Sequence, residues 1–207
     1  MRMVNFGCGL NTASGWINFD ASPTLRLQRS FVIGVLARRA LTPLFPDNAT
    51  YGDITKGLPL PNESVDRMYC SHVLEHLALE DLRLALLNAH HSLKIGGIFR
   101  GVLPDLEAET RTYLADEKSS ACTDYLDRMM LGSRKRSRGL NALLRSALGN
   151  SQHLWMWDFK GLKLELESSG FSQVRRASFG DSDFKEYRSV EEPSRWDGCL
   201  GFECTKL

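Results

Sequence analysis

The chain has 207 residues, of which 43% are hydrophobic and 25% are charged, and its formal net charge is +1. This length and composition are typical of one soluble globular domain with a sizeable core. A charge so close to zero does not favour a nucleic-acid-binding surface, and we expect no nucleic-acid partner. The longest apolar run, residues 31–37, is too short to cross a bilayer, so no membrane span is expected.

The cysteines and the N-terminus suggest a compartment. The five cysteines are an odd number at scattered positions, without Cys-x-x-Cys spacing. This favours reduced thiols in a cytoplasmic protein over a disulfide framework or a zinc ribbon. The first predicted strand begins almost at Met1, which leaves no room for a signal peptide. The sequence leaves open whether the protein is a monomer or a homodimer.

A glycine-bearing turn follows the first predicted strand, residues 4–6. Gly7 and Gly9 permit a sharp turn at which a ligand can approach main-chain N–H groups. Eleven residues after Gly9, Asp20 ends a second predicted strand over residues 16–19. A carboxylate in that position can hold the two hydroxyls of a ribose. The glycine pair alone is equally compatible with an ordinary tight turn.

The next segments alternate between helix and strand patterns. Residues 24–41 predict one helix with an apolar core-facing side and an arginine-rich outer side, an interpretation favoured over a membrane-surface helix. Residues 49–54 and 65–71 predict strands separated by a loop over 57–64, and residues 80–93 predict a helix stopped by Gly96 and Gly97. Residues 98–103 predict the next strand.

The second half of the chain continues this alternation. Residues 106–131 are helical in pattern, and residues 159–169 predict an amphipathic helix. Residues 171–179 and 199–206 predict strands joined by a loop over 180–198. The basic run at residues 134–138 lies in a polar segment, 132–150, which is interpreted as a solvated excursion that could also touch an anionic substrate. The alternation predicts an α/β fold with a parallel sheet and helices on both faces.

The first turn argues against a dinucleotide ligand. A third glycine is missing, and Asp20 follows too soon, because the dinucleotide fingerprint leaves a helix before its acidic residue. Residues 10–15 are mostly turn formers, so the first crossover helix is predicted to be short or absent. A pyrophosphate would then lose the helix N-terminus that normally binds it, whereas a ligand without phosphate would lose less.

Several motifs in this order resemble those of a known family. They are residues 4–9, Gly15-Trp16-Ile17-Asn18-Phe19-Asp20, Gly52-Asp53-Ile54, Ser71-His72-Val73-Leu74-Glu75-His76-Leu77, Leu93-Lys94-Ile95-Gly96-Gly97 and residues 102–106. The chain resembles the class I S-adenosylmethionine-dependent methyltransferases, and within them a small bacterial branch. The first motif departs from the family in having only two glycines, and the segment over residues 24–41 is long for a crossover.

The resemblance implies a Rossmann-like fold: a mostly parallel central sheet, helices on both faces and an antiparallel C-terminal strand. It implies a single domain over residues 1–207 with a variable acceptor-side or lid segment at about 106–152. The implied cofactor is S-adenosyl-L-methionine, and the acceptor would be a small molecule, in keeping with a sugar or metabolite pathway, methylated at oxygen or nitrogen. Residues that the resemblance places around the cofactor are Phe6, Gly7, Cys8, Gly9, Asn11, Asp20, Ala21, Asp53, Ile54, Ser71 and His72.

The resemblance divides the cofactor among these residues. Gly7, Cys8 and Gly9 would lie against its methionine part, and Asp20 would take the ribose diol. Asp53 would take the adenine amino group, with Ile54 packed on the ring, and Ser71 and His72 would lie beside the sulfonium. A hydroxyl acceptor usually requires a general base, for which the candidates near the cofactor mouth are His72, Asp105 and His153.

Two alternatives come from other functional classes. Residues 72–76 also fit His-x-x-Glu-His, the inverted zinc-protease motif, in which His72 and His76 would bind zinc and Glu75 would act as base. That motif must lie inside a helix, whereas here it begins at the end of a predicted strand, so no metal is expected. A non-catalytic protein that binds S-adenosylmethionine as a scaffold is the second alternative.

The acceptor wall is expected over residues 106–150 and 152–158, where Trp155 and Trp157 either stack on a ring or belong to the core.

Overall fold

Seven strands form one sheet in the computed structural model, which describes residues 1–32, 34–134 and 152–207. In chain order the strands are β1 (Met3–Phe6), β2 (Ile17–Asp20), β3 (Ala49–Tyr51), β4 (Val65–Ser71), β5 (Leu93–Pro104), β6 (Phe171–Ala177) and β7 (Cys199–Lys206). The sheet order is β3-β2-β1-β4-β5-β7-β6, in which β7 is antiparallel to both neighbours and the other pairs are parallel. The predicted Rossmann-like methyltransferase topology is confirmed.

Seven α-helices and three short 3-10 turns connect the described strands. The helices are α1 (Pro23–Gln28), α2 (Gly34–Ala40), α3 (Leu79–Ser92), α4 (Leu106–Ala115), α5 (Ala121–Arg128), α6 (Phe159–Ser168) and α7 (Pro193–Trp196). The 3-10 turns cover Ile54–Lys56, Leu74–His76 and Lys185–Ser189. Among the described residues, no helix combines the length and the apolar character needed to cross a membrane.

One face of the sheet is covered by α3 and α6. Leu82 and Leu86 lie one turn apart on α3, as do Leu162 and Leu166 on α6, and all four are fully buried. They share the main hydrophobic cluster with Met68 of β4 and with alternate residues of β5 and β7. Burial of this continuous apolar layer is the main stabilisation of the fold.

The opposite face is covered by loops and short turns. The side chains of Tyr69 and Val102 point away from the main cluster, because successive side chains of a strand point to opposite faces of the sheet. On this face they form a second cluster with Trp16 from the first loop and with Tyr187 and Trp196 from the segment between β6 and β7. The Tyr187 hydroxyl donates to the Ile98 carbonyl at 3.0 Å. Residues 7–16 contain no helix, so the prediction of a short or absent first crossover helix is confirmed. The apolar surface that such a helix would bury is covered instead by the 3-10 turn Lys185–Ser189 and by α7.

A buried arginine attaches this segment to the sheet. The Arg100 guanidinium on β5 is fully buried and donates to Glu191 at 2.6 Å, to Asp181 at 2.9 Å and to Glu203 at 3.1 Å. It also lies 4.6 Å from the centre of the Trp196 ring. Burial opposes the charge of Arg100, but the carboxylates outweigh burial and raise its pKa, so the cation is retained.

Residues 24–41 differ from the prediction of one core-packed helix. The chain forms α1 and α2 with a break between them, and the Gln28 side chain fills the break by donating to the Pro43 carbonyl at 3.0 Å. Leu25 is buried as expected. Leu27 is half-buried, whereas Phe31, Val32, Val35 and Leu36 are exposed, which makes the core-packed interpretation wrong for these four residues.

Three further boundaries also differ from the predictions. The helical pattern of residues 106–131 is interrupted, and α4 and α5 are separated by the Asp116 turn. Strand β5 begins at Leu93, immediately after α3, and not at the predicted Ile98. Gly96, with a positive φ of 78°, lies within an irregularity in the pairing of β5 with β4, so the strand continues through the glycines that were expected to precede it. The predicted loop over residues 180–198 contains the Lys185–Ser189 turn and α7. Residues 135–138 of the basic run, and residues 135–150 of the predicted acceptor wall, lie outside the described residues.

Candidate functional site

The first turn begins where β1 ends. Gly7 and Gly9 have φ angles of +64° and +54°, a left-handed conformation that glycine adopts readily. A Cβ atom added to Gly7 would lie 2.2 Å from Val73 Cγ2. A Cβ atom added to Gly9 would have no described neighbour within 4 Å. Gly7 is therefore required for two reasons, the backbone conformation and the close approach of Val73.

Asp20 lies at the carboxyl end of β2 and contacts this turn. Its Oδ2 accepts a hydrogen bond from the Gly9 N–H at 2.8 Å, and its Oδ1 accepts one from the Ser22 N–H at 2.8 Å. The structure thus brings together the two predicted halves of a nucleoside site. The carboxylate is partly exposed, as a ribose ligand would require.

Two buried asparagines hold the loop that replaces the first crossover helix. Asn18 is 1% exposed, and its side chain donates to the carbonyls of Ala13 and Trp16 and accepts from the Ala13 N–H. Asn5 donates to the Asn18 amide oxygen at 3.2 Å and to the Asn11 carbonyl at 3.3 Å. Asn18 belongs to the Gly15–Asp20 motif, but the motif itself does not indicate this structural role. Polar residues at buried strand positions are the signal that could have indicated this bracing.

Asp53 caps the 3-10 turn Ile54–Lys56. Its Oδ1 accepts from the Thr55 N–H at 3.1 Å and from the Thr55 hydroxyl at 2.7 Å, and its Oδ2 accepts from Lys56 at 2.8 Å. Burial raises the pKa of Asp53, but these hydrogen bonds outweigh burial and hold the pKa below its usual range. Ile54 is buried in the main core. Their predicted contacts with an adenine ring remain predictions.

Ser71 and His72 lie at the carboxyl end of β4, where open α/β sheets bind ligands. His72 has a φ of +54°, which is uncommon for a residue with a side chain and marks a backbone held by its surroundings. The Ser71 hydroxyl accepts a hydrogen bond from Arg195 Nε at 2.7 Å, and the Ser71 carbonyl accepts one from Arg195 Nη2 at 3.2 Å.

Arg195 is a residue of the site that was not predicted from the sequence. It comes from α7, about 120 residues after Ser71, and the sequence around it carries no motif that would indicate this contact. The guanidinium is half-buried, and no carboxylate among the described residues lies within ion-pair distance of it. A cation without an acidic partner at a ligand cavity favours an anionic group on the ligand.

A small cavity connects these residues. It has a volume of about 20 Å³ and is lined by Asn5, Gly7, Cys8, Asn11, Tyr69, Ser71, Val190 and Arg195. Cofactor pockets usually measure about 300–1,000 Å³. The glycine turn, the strand-end carboxylate and a guanidinium without an acidic partner fit the chemistry of an amino-acid nucleoside, and Val190 and Arg195 line this narrow space.

His72 and His153 lie on either side of a buried carboxylate. Glu75 is fully buried, and His72 Nδ1 is 3.3 Å from its Oε1. Burial lowers the pKa of His72, but contacts with Cys199, Glu75 and the Arg195 carbonyl outweigh it and raise the pKa to about 10. Burial lowers the pKa of His153, and the Glu75 charge only partly opposes this. The structure therefore places two of the three predicted bases around one acid.

Asp105, the third predicted base, caps α4. Its Oδ1 accepts from the Glu107 N–H at 2.9 Å, and its Oδ2 accepts from Arg176 at 3.0 Å. Both carboxylate oxygens therefore have donors within the fold. This is the capping role that a strand-to-helix junction ordinarily gives an aspartate.

The remaining predicted residues contribute in different ways. The Phe6 side chain is buried in the main core, so only its backbone is available at the turn. The Asn11 N–H donates to the Cys8 carbonyl at 2.9 Å, and Ala21 is exposed. Of the two tryptophans on the predicted acceptor side, Trp157 is 4% exposed and belongs to the core, whereas Trp155 is 43% exposed.

The chain matches one protein family in sequence. Residues 5–100 match a family model described as a methyltransferase domain. The matched region runs from β1 into β5 and contains every predicted cofactor-binding residue. No curated protein matches the chain in sequence.

Solved structures with a similar fold include S-adenosylmethionine-dependent methyltransferases. One from Archaeoglobus fulgidus is 15% identical, with a TM-score of 0.50 over 99% of this chain and 86% of the other. One from Thermotoga maritima, described as a possible histamine N-methyltransferase, is 18% identical, with a TM-score of 0.50 over 100% and 82%. A phosphoethanolamine N-methyltransferase of Haemonchus contortus, bound to phosphomonomethylethanolamine and S-adenosylhomocysteine, is 10% identical, with a TM-score of 0.51 over 100% of this chain and 49% of the other.

Proposed function

We propose that this chain, an S-adenosylmethionine-dependent methyltransferase, transfers a methyl group to an oxygen or nitrogen atom of a small-molecule acceptor. The observation that carries the proposal is the meeting of the Gly7–Gly9 turn, Asp20 and Ser71 at the carboxyl ends of three adjacent parallel strands. Open α/β sheets bind nucleoside ligands at this position. The short turn without a helix N-terminus favours a ligand that lacks phosphate.

The chain's own residues would bind the parts of the cofactor separately. The Gly7–Gly9 turn would lie against the amino-acid end, the Arg195 guanidinium would bind its carboxylate, and Asp20 would hold the ribose diol. Asp53 and Ile54 would lie at the adenine end. When bound, the cofactor supplies a methyl group already activated by a sulfonium, so the main contribution of the protein is to hold the acceptor atom in line with that group.

The acceptor would enter from the side of His72 and Trp155. Within the proposed single domain, residues 106–152 would form the variable acceptor side, of which residues 106–134 and 152 are described. The partly exposed Trp155 ring offers a stacking surface for a ring-shaped acceptor. His72 and His153 are the proposed groups for positioning the acceptor or its proton, because Asp105 Oδ1 caps α4 and its Oδ2 is paired with Arg176.

No observation favours the zinc-hydrolase alternative. The inverted motif requires both histidines on one helix, whereas His72 directly follows β4 in a left-handed conformation and Leu74–His76 is a 3-10 turn. The described geometry therefore does not present His72 and His76 as an i, i+4 pair of an α-helix.

Label transfer from S-adenosylmethionine tests the proposal. Purified protein would be incubated with cofactor carrying an isotope-labelled methyl group and with a panel of amines, sugars and phenols. The expected result is labelled product from at least one class, with an equal amount of S-adenosylhomocysteine and no product from Asp20→Ala. Cofactor binding without transfer to any acceptor would support the scaffold alternative and contradict the proposed activity.

A further inference from the structure

Three potential metal ligands lie close together just beyond the carboxyl end of β4. Glu75 and His76 lie in the 3-10 turn after β4, and His153 comes from the segment that precedes α6. Each offers one ligand atom, and these atoms lie within 4.8 Å of one another. The segments are tied together by the backbone, because the Leu154 N–H donates to the Glu75 carbonyl at 2.8 Å.

The Glu75 carboxylate is buried beside His72, but it accepts no hydrogen bond from the described residues. It is fully buried, and neither oxygen accepts a hydrogen bond from any described residue. His72 Nδ1 approaches Oε1 at 3.3 Å, but the contact lacks hydrogen-bond geometry. A buried carboxylate requires donors as well as a nearby cation, and His72 alone leaves both Glu75 oxygens without a hydrogen bond from the described residues.

Each of the two histidines has a ring nitrogen with no hydrogen-bond partner among the described residues. His76 Nδ1 is 3.1 Å from the Gln152 carbonyl, which can only accept, so Nδ1 carries the proton and Nε2 keeps its lone pair. His153 is 7% exposed, and its Nδ1 has no hydrogen-bond partner among the described residues. A backbone carbonyl behind one imidazole nitrogen is the usual arrangement that orients the other toward a metal.

We propose that Glu75, His76 and His153 bind a divalent transition-metal ion. Two imidazole nitrogens and one carboxylate oxygen suit zinc and its neighbours in the first row, whereas magnesium and calcium prefer oxygen ligands. The assignment differs from the inverted zinc-protease motif, because Glu75 is a ligand and His153 replaces His72. It also revises the expectation from the sequence that the chain binds no metal.

The site is separate from the cofactor cavity but adjacent to it. His72 follows Ser71, which lines the cavity, and also approaches Glu75. With His153 as a metal ligand, that side chain is not available as a general base. Metal binding itself does not depend on methyl transfer, so the two proposals can fail independently.

Metal titration of the full chain without an affinity tag tests the inference. Protein stripped with a chelator and then freed of it would be titrated with Zn²⁺, with Co²⁺ as the spectroscopic probe and with Mg²⁺ as the comparison ion. The expected result is one Zn²⁺ per chain, Co²⁺ absorption bands typical of nitrogen and oxygen ligands, and at least tenfold weaker binding of Mg²⁺. Zn²⁺ should also raise the melting temperature of the wild-type protein.

Matched variants assign the ion to this cluster. Glu75→Gln keeps the shape of the side chain, and His153→Ala removes one ligand; each should weaken Zn²⁺ binding at least tenfold. His91→Ala changes an exposed histidine on α3 and should leave binding unchanged. Absence of stoichiometric Zn²⁺ binding by the wild-type chain would overturn the inference. Equal affinity for Mg²⁺, or unchanged affinity in folded Glu75→Gln, would also overturn it.

Discussion

The Gly9 N–H donates a 2.8 Å hydrogen bond to Asp20 Oδ2 and so joins the turn after β1 to the end of β2. A second donor, the Ser22 N–H, holds Oδ1 at 2.8 Å. The carboxylate therefore has a defined position before any ligand binds, which lowers the entropic cost of binding. Turn and carboxylate act as one unit, although eleven residues separate them in the chain.

Asp20→Ala should weaken binding of S-adenosylmethionine by roughly a hundredfold. The substitution removes the acceptor expected for the ribose diol, and a hydrogen bond to a charged group contributes about 1.5–3 kcal/mol. Asp47→Ala is the control, because Asp47 is an exposed acid whose ion pairs with Arg29 and Arg38 lie in the α1–α2 region. Calorimetry measures both affinities. Unchanged affinity in a folded Asp20→Ala protein would show that β2 does not bind the ribose.

Gly7→Ala should destabilise the fold more than Gly9→Ala. Both residues have positive φ angles, so both substitutions carry a similar backbone strain of about 1–2 kcal/mol. Only at Gly7 would the new Cβ meet Val73, which adds about 1–3 kcal/mol of overpacking. Urea unfolding measures the difference.

Val73→Ala provides the corresponding rescue. In the Gly7→Ala background it should recover most of the additional loss, because it removes the Cγ2 atom that the new methyl group would meet at 2.2 Å. Equal stabilities for the two single glycine variants would contradict the packing described for the turn.

Arg195→Ala should weaken binding of S-adenosylmethionine about tenfold or more, because the guanidinium would lose the cofactor's carboxylate. Methylthioadenosine lacks that carboxylate, so its affinity should be unaffected. Arg188→Ala, which changes an exposed arginine in the same segment, should alter neither affinity. If Arg195 instead only fills the cavity, its removal would strengthen binding of both ligands.

The buried thiols should make the fold sensitive to alkaline pH. Burial, with a contribution from the Asp20 charge, raises the pKa of Cys8 to about 12, and burial also raises the pKa values of Cys70 and Cys204. An unfolded cysteine ionises near pH ~8.5. The folded pKa is the higher one, so the stabilisation is complete below about pH 8.5 and falls as pH rises toward 12.

Urea unfolding between pH 7.5 and 10 measures this loss, and thiol labelling of the native protein at pH 8 gives an independent check. Cys122 is exposed and should react first, whereas Cys8, Cys70 and Cys204 should be protected. Labelling of all four at one rate, or stability that increases with pH over this range, would contradict the assigned burial.

The sequence predicted the cofactor side of the sheet because the signals there are local. Gly7, Gly9 and Asp20 lie within fourteen residues of each other in the chain, and their spacing alone argues against a dinucleotide. Strand β7 was predicted at its observed bounds because Gly198 and a continuous strand pattern define it. Local periodicity failed for Phe31 and Val35, because an apolar stripe does not identify the surface that it packs against.

Contacts between distant segments could not be read from the sequence. The Trp16 indole N–H donates to the Ser189 hydroxyl across 173 residues, and Arg195 reaches Ser71 across 124. Such pairs follow from how β6 and β7 return across the sheet, which no local pattern encodes. The grouping of His153 with Glu75 has the same origin: the sequence identified both residues, and the fold brought them to one place.

Calorimetric titration of the wild-type chain with S-adenosylmethionine and, separately, with NAD⁺ tests the central claim most directly. The geometry of the first turn predicts binding of one S-adenosylmethionine per chain and no measurable binding of NAD⁺, because the turn offers no helix N-terminus for a pyrophosphate. Absence of S-adenosylmethionine binding, or tighter binding of NAD⁺, would contradict the account.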